Sequence, residues 1–200
     1  MAIYPIPFPT RAPTQEILRV AFQQAAMESP HTFAQQTVSK ADHWLLEFQW
    51  PRMSHSEAER IAAWIDSLRG QLGTFTYTPR SSAKSSLQGI TVAQIAYSYS
   101  STVSLTGWAA QGVSGLSLGQ YCQIGERLHR IVSAPANADA NGRCLVEVVP
   151  QIRKTKAVGT TVEFQNPKGM FRFTSADSYA FTLDPDRQPS FPTIQAKEAF

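Results

Sequence analysis

Charge is what this sequence has least of. Only 16% of its 200 residues are Asp, Glu, Lys or Arg, against about 25% in average soluble domains. Eighteen basic and 15 acidic side chains leave a net charge of +3, and the excess is spread along the chain. Proteins that hold nucleic acid by neutralising phosphates need a clustered basic face, so a dedicated nucleic-acid binder is excluded. Long apolar runs are missing too. The longest, such as Ile61 to Ile65, fall far below the ~18 residues of a membrane span. Met1 to Thr14 carries Pro5, Pro7, Pro9 and Pro13 and no apolar stretch of signal-peptide length. Cysteine is nearly absent. Cys122 and Cys144 have no CxxC spacing and no secretory context, which predicts a buried free pair in a protein made in a reducing cytoplasm.

Neutral polar residues fill the gap: 19 Ser, 16 Thr and 16 Gln. This composition suits strand faces and close-fitting surfaces. A chain of this length buries about 70% of its unfolded surface, so its core needs neither a disulfide nor a metal.

The proline-rich head reads as an extended arm, because each proline holds its φ and biases its predecessor away from helix. Gln15 to Ala26 fits a helical face through Ile17, Leu18, Ala21, Phe22 and Ala25, and equally a strand through Leu18, Val20 and Phe22. Trp44, Leu46, Phe48 and Trp50 alternate with Leu45, Glu47 and Gln49, predicting a half-buried strand that ends at Pro51. Ser54 and Glu57 have capping-box spacing. Ala58, Ile61, Ile65 and Leu68 then share one helical face, and Arg69-Gly70 supplies the stop. Phe75 and Tyr77 alternate with threonines as a further strand. Arg80 to Gln88, with four serines, reads as a linker or exposed loop. Beyond it the pattern is all β: strands over 90–99, 102–108, 119–124, 127–133, 144–149, 160–165, 170–174 and the tail 190–200. Gly125-Glu126, Asn141-Gly142 and Asn166 to Gly169 mark the turns. The predicted fold is mainly β with one clear α-helix. A β-strand and helix domain spans 1–80, to which the strand at 190–200 can return, and an all-β barrel or sandwich spans 81–200.

The chemistry-bearing motifs are sparse. Gly115-Leu116-Ser117-Leu118-Gly119 matches GxSxG, but a nucleophile elbow needs a helix after the serine and an acid and histidine in order. Here a hairpin follows, and His129 is the only later histidine. His31, His43 and His55 lie twelve apart, without metal-ligand spacing. No phosphate-binding loop is present. No catalytic residue, metal ligand or cofactor is expected. Trp44, Trp50 and Trp64 fall on core-facing positions, whereas Trp108, beside Gly107, and Tyr121 are candidate ligand-facing aromatics for a sugar-binding surface. Tyr4, Phe8 and Phe200 are large apolar groups near the chain ends. They are read either as contacts with another chain or as anchors onto the chain's own body.

One series of residues resembles a known family. Ser29-Pro30, Gln35-Gln36, Trp44 in a strand ending at Pro51, a capped helix and Leu68-x-Gly70-x-x-Gly73-x-Phe75 occur in this order. Gly119-Gln120, Gln123-Ile124-Gly125 with Leu128, Pro150-x-x-Arg153, Pro167-x-Gly169-x-Phe171-Arg172-Phe173, Ser190-Phe191 and Glu198-Ala199-Phe200 follow. Together they resemble the distal tail proteins of long-tailed bacteriophages. The resemblance implies a virion structural protein with no enzymatic activity, built in the bacterial host cytoplasm and resident in the phage tail tip. It implies a ring, commonly a hexamer, of a ring-forming β domain and an outward β-sandwich. The ring would join the tail tube protein to the tip hub protein and adhesion apparatus, with the tape-measure protein as a possible neighbour. DNA would be only in transit through the lumen, with no membrane insertion. The chain is shorter than the best-known members and lacks a clear galectin-like segment. The competing readings are a carbohydrate-binding β module for host attachment and a tail-associated hydrolase acting through Ser117.

Overall fold

The computed structural model describes residues 3–39, 42–80, 86–177, 179–184 and 187–200. In chain order its first strands are β1 (Ile6–Pro7), β2 (Gln15–Ala21), β3 (Gln24–Glu28), β4 (Gln35–Ser39) and β5 (His43–Gln49), followed by helix α1 (His55–Ser67). Then come β6 (Phe75–Tyr77), β7 (Thr91–Val92), β8 (Thr102–Thr106), β9 (Tyr121–Ile124), β10 (Arg127–Ser133) and β11 (Arg143–Val149). The last are β12 (Val162–Glu163), β13 (Gly169–Phe173), β14 (Thr182–Leu183), β15 (Pro189–Ser190) and β16 (Ile194–Glu198). The protein is mainly β with a single helix among the described residues. Part of the expected linker, 81–85, lies outside the described residues, as do Pro185 and Asp186.

The chain divides into two compact units, each discontinuous. One comprises Met1–Arg19, Trp44–Thr78 and Gly169–Phe200; the other comprises Val20–His43 and Pro79–Lys168. The sequence reading placed a boundary at 80 and allowed only the last strand to return. In the structure the return begins at Gly169, and residues 20–43 group with the second unit.

The first unit is a six-stranded sheet in the order β1-β6-β13-β16-β5-β2. Strict alternation along β5 buries Trp44, Leu46 and Phe48 completely, because successive side chains point to opposite faces. Helix α1 starts where expected: the Glu57 carboxylate accepts from the Ser54 N–H at 3.3 Å and its hydroxyl at 3.1 Å. It buries Ala58, Ile61 and Ile65, each isoleucine contributing about 2 kcal/mol by leaving water. Arg69 and Gly70 end it at positive φ, 50° and 66°. The core beneath is aromatic. The Phe8 ring lies 5.1 Å from Phe48, 5.6 Å from Trp64 and 5.0 Å from Tyr77, mostly edge to face, the arrangement that ring quadrupoles favour.

The second unit contains a sheet in the order β12-β9-β10-β11-β8-β7. Its ends meet: Val92 and Gly159 exchange bonds with Thr160 and Val92 at 2.9 Å, and the Val162 N–H donates to Ile90 O at 2.9 Å. The sheet thus closes almost fully into a barrel filled by Val92, Leu105, Cys122, Ile124, Ile131, Val146 and Phe164. Both cysteines are free and buried. Gly125 (φ 64°) and Gly142 (φ 68°) make two of the three predicted turns, left-handed positions that glycine tolerates best.

Two expectations need correction, and one open alternative is resolved. The strand read over 90–99 stops after Val92, and 93–101 is irregular apart from a bridge at Ala96. Asn166 to Gly169 is not a hairpin turn: β12 pairs with β9, whereas β13 pairs with β6 and β16. The ambiguous 15–26 segment forms strands β2 and β3.

Candidate interaction surface

The two outer strands of the first unit's sheet end very differently. In β1 the Ile6 and Phe8 N–H groups donate to Thr74 O at 3.0 Å and Thr76 O at 3.2 Å. By the two-residue period, the outward positions are Pro5, Pro7 and Pro9, which carry no N–H. The outward carbonyl of Pro7 accepts from the Trp64 indole at 2.9 Å. This edge is therefore sealed by proline and by α1, a common guard against edge-to-edge pairing. The opposite edge, β2, has no proline between Gln15 and Ala21, and no described strand lies beyond it. Ile17 is 41% exposed on it.

The second unit carries a separate feature. Strands β3 and β4 form a ribbon of five residue pairs, from Gln24↔Ser39 to Glu28↔Gln35. It is joined by a turn in which Ser29 N–H donates to Ala34 O at 3.0 Å. Every residue of β3 and of 35–38 is exposed. Phe22 (56%), Met27 (73%) and Phe33 (74%) lie on or beside this ribbon in water. Phe33 holds a φ of 53°, an uncommon conformation for a large side chain. A two-stranded ribbon with both faces solvated is only marginally stable. Sequence reading missed it because period-2 alternation needs one buried face, and Gln-Ala-Ala-Met-Glu has no such asymmetry.

The expected site residues separate. Tyr4 and Phe8 follow the internal alternative: Tyr4 Oη donates to Ser67 O at 2.6 Å, and Phe8 belongs to the aromatic core. Phe200 remains 54% exposed. Trp108 is half-buried against the barrel core, its indole donating to Ser114 O at 2.8 Å. Tyr121 is 3% exposed, with the Arg130 guanidinium bonded to its hydroxyl and 4.7 Å above its ring. Tyr121 therefore offers no open stacking face, which corrects the ligand-facing role expected for it, whereas Trp108 keeps part of its surface exposed.

Ser117 sits in an exposed turn between Gly115 and Gly119, its N–H donating to Gln120 Oε1 at 3.1 Å. A strand follows it, not a helix. His129 is fully buried, with Nδ1–H donating to Pro150 O at 2.7 Å and Nε2 left without a partner. Burial, reinforced by the Arg127 charge, pushes its pKa down to about 3. Burial likewise pushes the Cys122 thiol up to about 12. Neither group is poised to exchange a proton or act as a nucleophile near neutrality. No group of three metal-ligating side chains occurs among the described residues, and no described helix is long and apolar enough to cross a membrane.

No protein-family model matches the chain, and no curated protein is similar enough in sequence to be called a relative.

Proposed function

We propose that this protein is a structural ring subunit of the distal-tail type, in a phage tail tip, joining the tail tube to the tip hub and adhesion apparatus. The observation that carries the reading is the unequal treatment of strand edges: the barrel is nearly closed, β1 is sealed, and β2 and the solvated ribbon are left open. Open strand edges and exposed apolar ribbons are aggregation hazards unless a partner covers them.

The edge chemistry also limits how copies join. Pairing β2 with β2 is isologous and closes at two copies, whereas a ring needs two different surfaces meeting head to tail. With β1 sealed, the surface available to meet β2 of one copy is the β3–β4 ribbon of the next. The charged residues on these strands are Glu16, Arg19 and Glu28, and Arg19 is already paired with Glu47 at 3.2 Å, which limits the charge desolvation that opposes such contacts, a cost of several kcal/mol per buried ion. The ring's lumen is expected to carry few Lys and Arg, letting DNA slide past.

The test is assembled mass and shape. The wild-type chain, at high micromolar concentration, is expected to form a closed ring seen by native mass spectrometry and negative-stain microscopy. Replacing residues 22–39 by a short Gly-Ser link, or substituting Ile17→Pro on β2, is expected to return it to monomer with far-ultraviolet dichroism otherwise retained. A wild type that remains monomeric at every concentration, or a ring indifferent to both changes, overturns the reading.

A further inference from the structure

The first unit's sheet sets two cations side by side on one face and gives neither a counter-ion. Helix α1 lies against the other face, its Trp64 ring 5.3 Å from Phe75 and 5.9 Å from Phe173. By the two-residue period, Thr76, Met170, Arg172, Gln195, Lys197 and Leu45 point away from that core, and each is half-buried or exposed. In the antiparallel pair β13 and β16, Arg172 stands directly opposite Lys197. Residues so opposed have Cβ atoms about 4.5–5.5 Å apart, and like charges there repel. Neither residue forms an ion pair with a described residue. The β5 residue across from Lys197 is Leu45. Glu47 opposes Gln195 instead, and Arg19 on β2 already holds its carboxylate at 3.2 Å.

Arg172 adds a second observation. Its side chain is half-buried, and its Nε is withdrawn from solvent without a hydrogen-bond partner. A guanidinium stays charged throughout the pH range of folded proteins, and a buried donor left unpaired is costly. The fold thus holds a like-charge pair and an unmet donor on one small patch. A carboxylate arriving from outside relieves the repulsion, and it matches the fork of N–H donors that a guanidinium offers.

We propose that this face docks an acidic polypeptide segment of another protein, with Arg172 and Lys197 each taking one of its carboxylates. Charge complementarity selects that occupant. The cations sit among half-buried Leu45 and Met170, with Ile17 41% exposed on the same face, a mixture suited to contact with polypeptide. On an extended segment, carboxylates at i and i+2 point the same way about 7 Å apart, within reach of two long side chains rooted opposite each other. Arg19 and Glu47 make the same kind of pair two strands away. Nucleic acid fits less well. Its binders typically neutralise about 6–10 phosphates, whereas this face offers Arg172, Lys197 and the already paired Arg19. The surface belongs to the first unit alone, and its binding does not depend on ring formation.

The test is fluorescence anisotropy of three labelled probes with the full chain. These are a peptide alternating Glu with Ala, the same peptide with Gln for Glu, and oligothymidylate. The wild type is expected to prefer the Glu peptide and to release it as salt rises, since added ions screen the contact. Arg172→Gln and Lys197→Gln are each expected to weaken binding by about two- to fivefold, the scale of one exposed ion pair, and the double variant by more than either. Arg60→Gln, on α1 and so on the other side of the sheet, is expected to leave binding unchanged. Because the opposed cations repel, the urea midpoints of Arg172→Gln and Lys197→Gln should equal or exceed that of wild type, which separates lost binding from lost folding. Assembled mass should be the same in every variant, which separates failure here from failure of the ring. Equal binding of the Gln peptide, tighter binding of oligothymidylate, no binding at all, binding untouched at residues 172 and 197, or lowered midpoints overturn the assignment.

Discussion

His129 makes stability depend on pH in a way that its surroundings set. Its imidazole is buried in the barrel, donates through Nδ1 to Pro150 O at 2.7 Å, and leaves Nε2 without a partner. Desolvation, with Arg127 nearby, lowers its pKa from 6.5 to about 3. The folded chain therefore refuses a proton that the unfolded chain accepts. Above pH 6.5 both states are neutral and the group contributes no pH dependence. Below it the unfolded state gains a proton, and folding stability falls by about 1.4 kcal/mol per pH unit until the folded pKa is reached. Between pH 7 and 4.5 this amounts to about 3 kcal/mol, a large part of the total for a domain that is stable by about 5–15 kcal/mol. The measurement is urea unfolding of wild type and His129→Gln across that range. Gln retains an amide donor for Pro150 O and does not titrate, and the scattered carboxylates cancel in the comparison. The gap between the two proteins should narrow steadily toward acid, and His129→Gln should overtake wild type if its starting deficit is small. A gap that stays constant with pH refutes the reasoning.

Other outcomes follow from packing. Gly142→Ala would press a Cβ onto the Trp108 carbonyl from a left-handed backbone position, so thermal unfolding should show a loss of about 2–4 kcal/mol. By contrast Gly119→Ala, also at positive φ but with open space around it, should cost only about 1 kcal/mol in the same assay. Phe8→Ala removes the ring that five core aromatics surround. Because Phe8 is only half-buried, the expected loss in chemical denaturation is about 2–3 kcal/mol, at or below the lower end for a core phenylalanine; a loss under about 0.5 kcal/mol, surface-like, would show that the arm does not dock.

Much of the architecture was legible where a segment has one wet face and one dry face. Trp44, Leu46 and Phe48 alternate because β5 covers a core on one side, and Ala58, Ile61 and Ile65 recur at helical spacing for the same reason. Gly125 and Gly142 announced their turns because few other residues accept that backbone. The signal failed where burial is not one-sided. Residues 15–26 carry mixed periodicity because β2 is an edge and β3 is solvated on both faces, and 93–99 looks like a strand because its exposed tyrosines have strand-like composition.

By itself, then, the sequence determined local matters: which stretches with one buried face pleat, and where the helix caps. Only the tertiary structure decided which strands are neighbours and which edges stay open. Hydrogen-bond partners in a sheet come from chain segments far apart, as when Gly169–Phe173 leaves β12 and completes the sheet begun by Ile6–Pro7. The pairing energy depends on what the whole chain can bury at once, and no window of sequence contains that information.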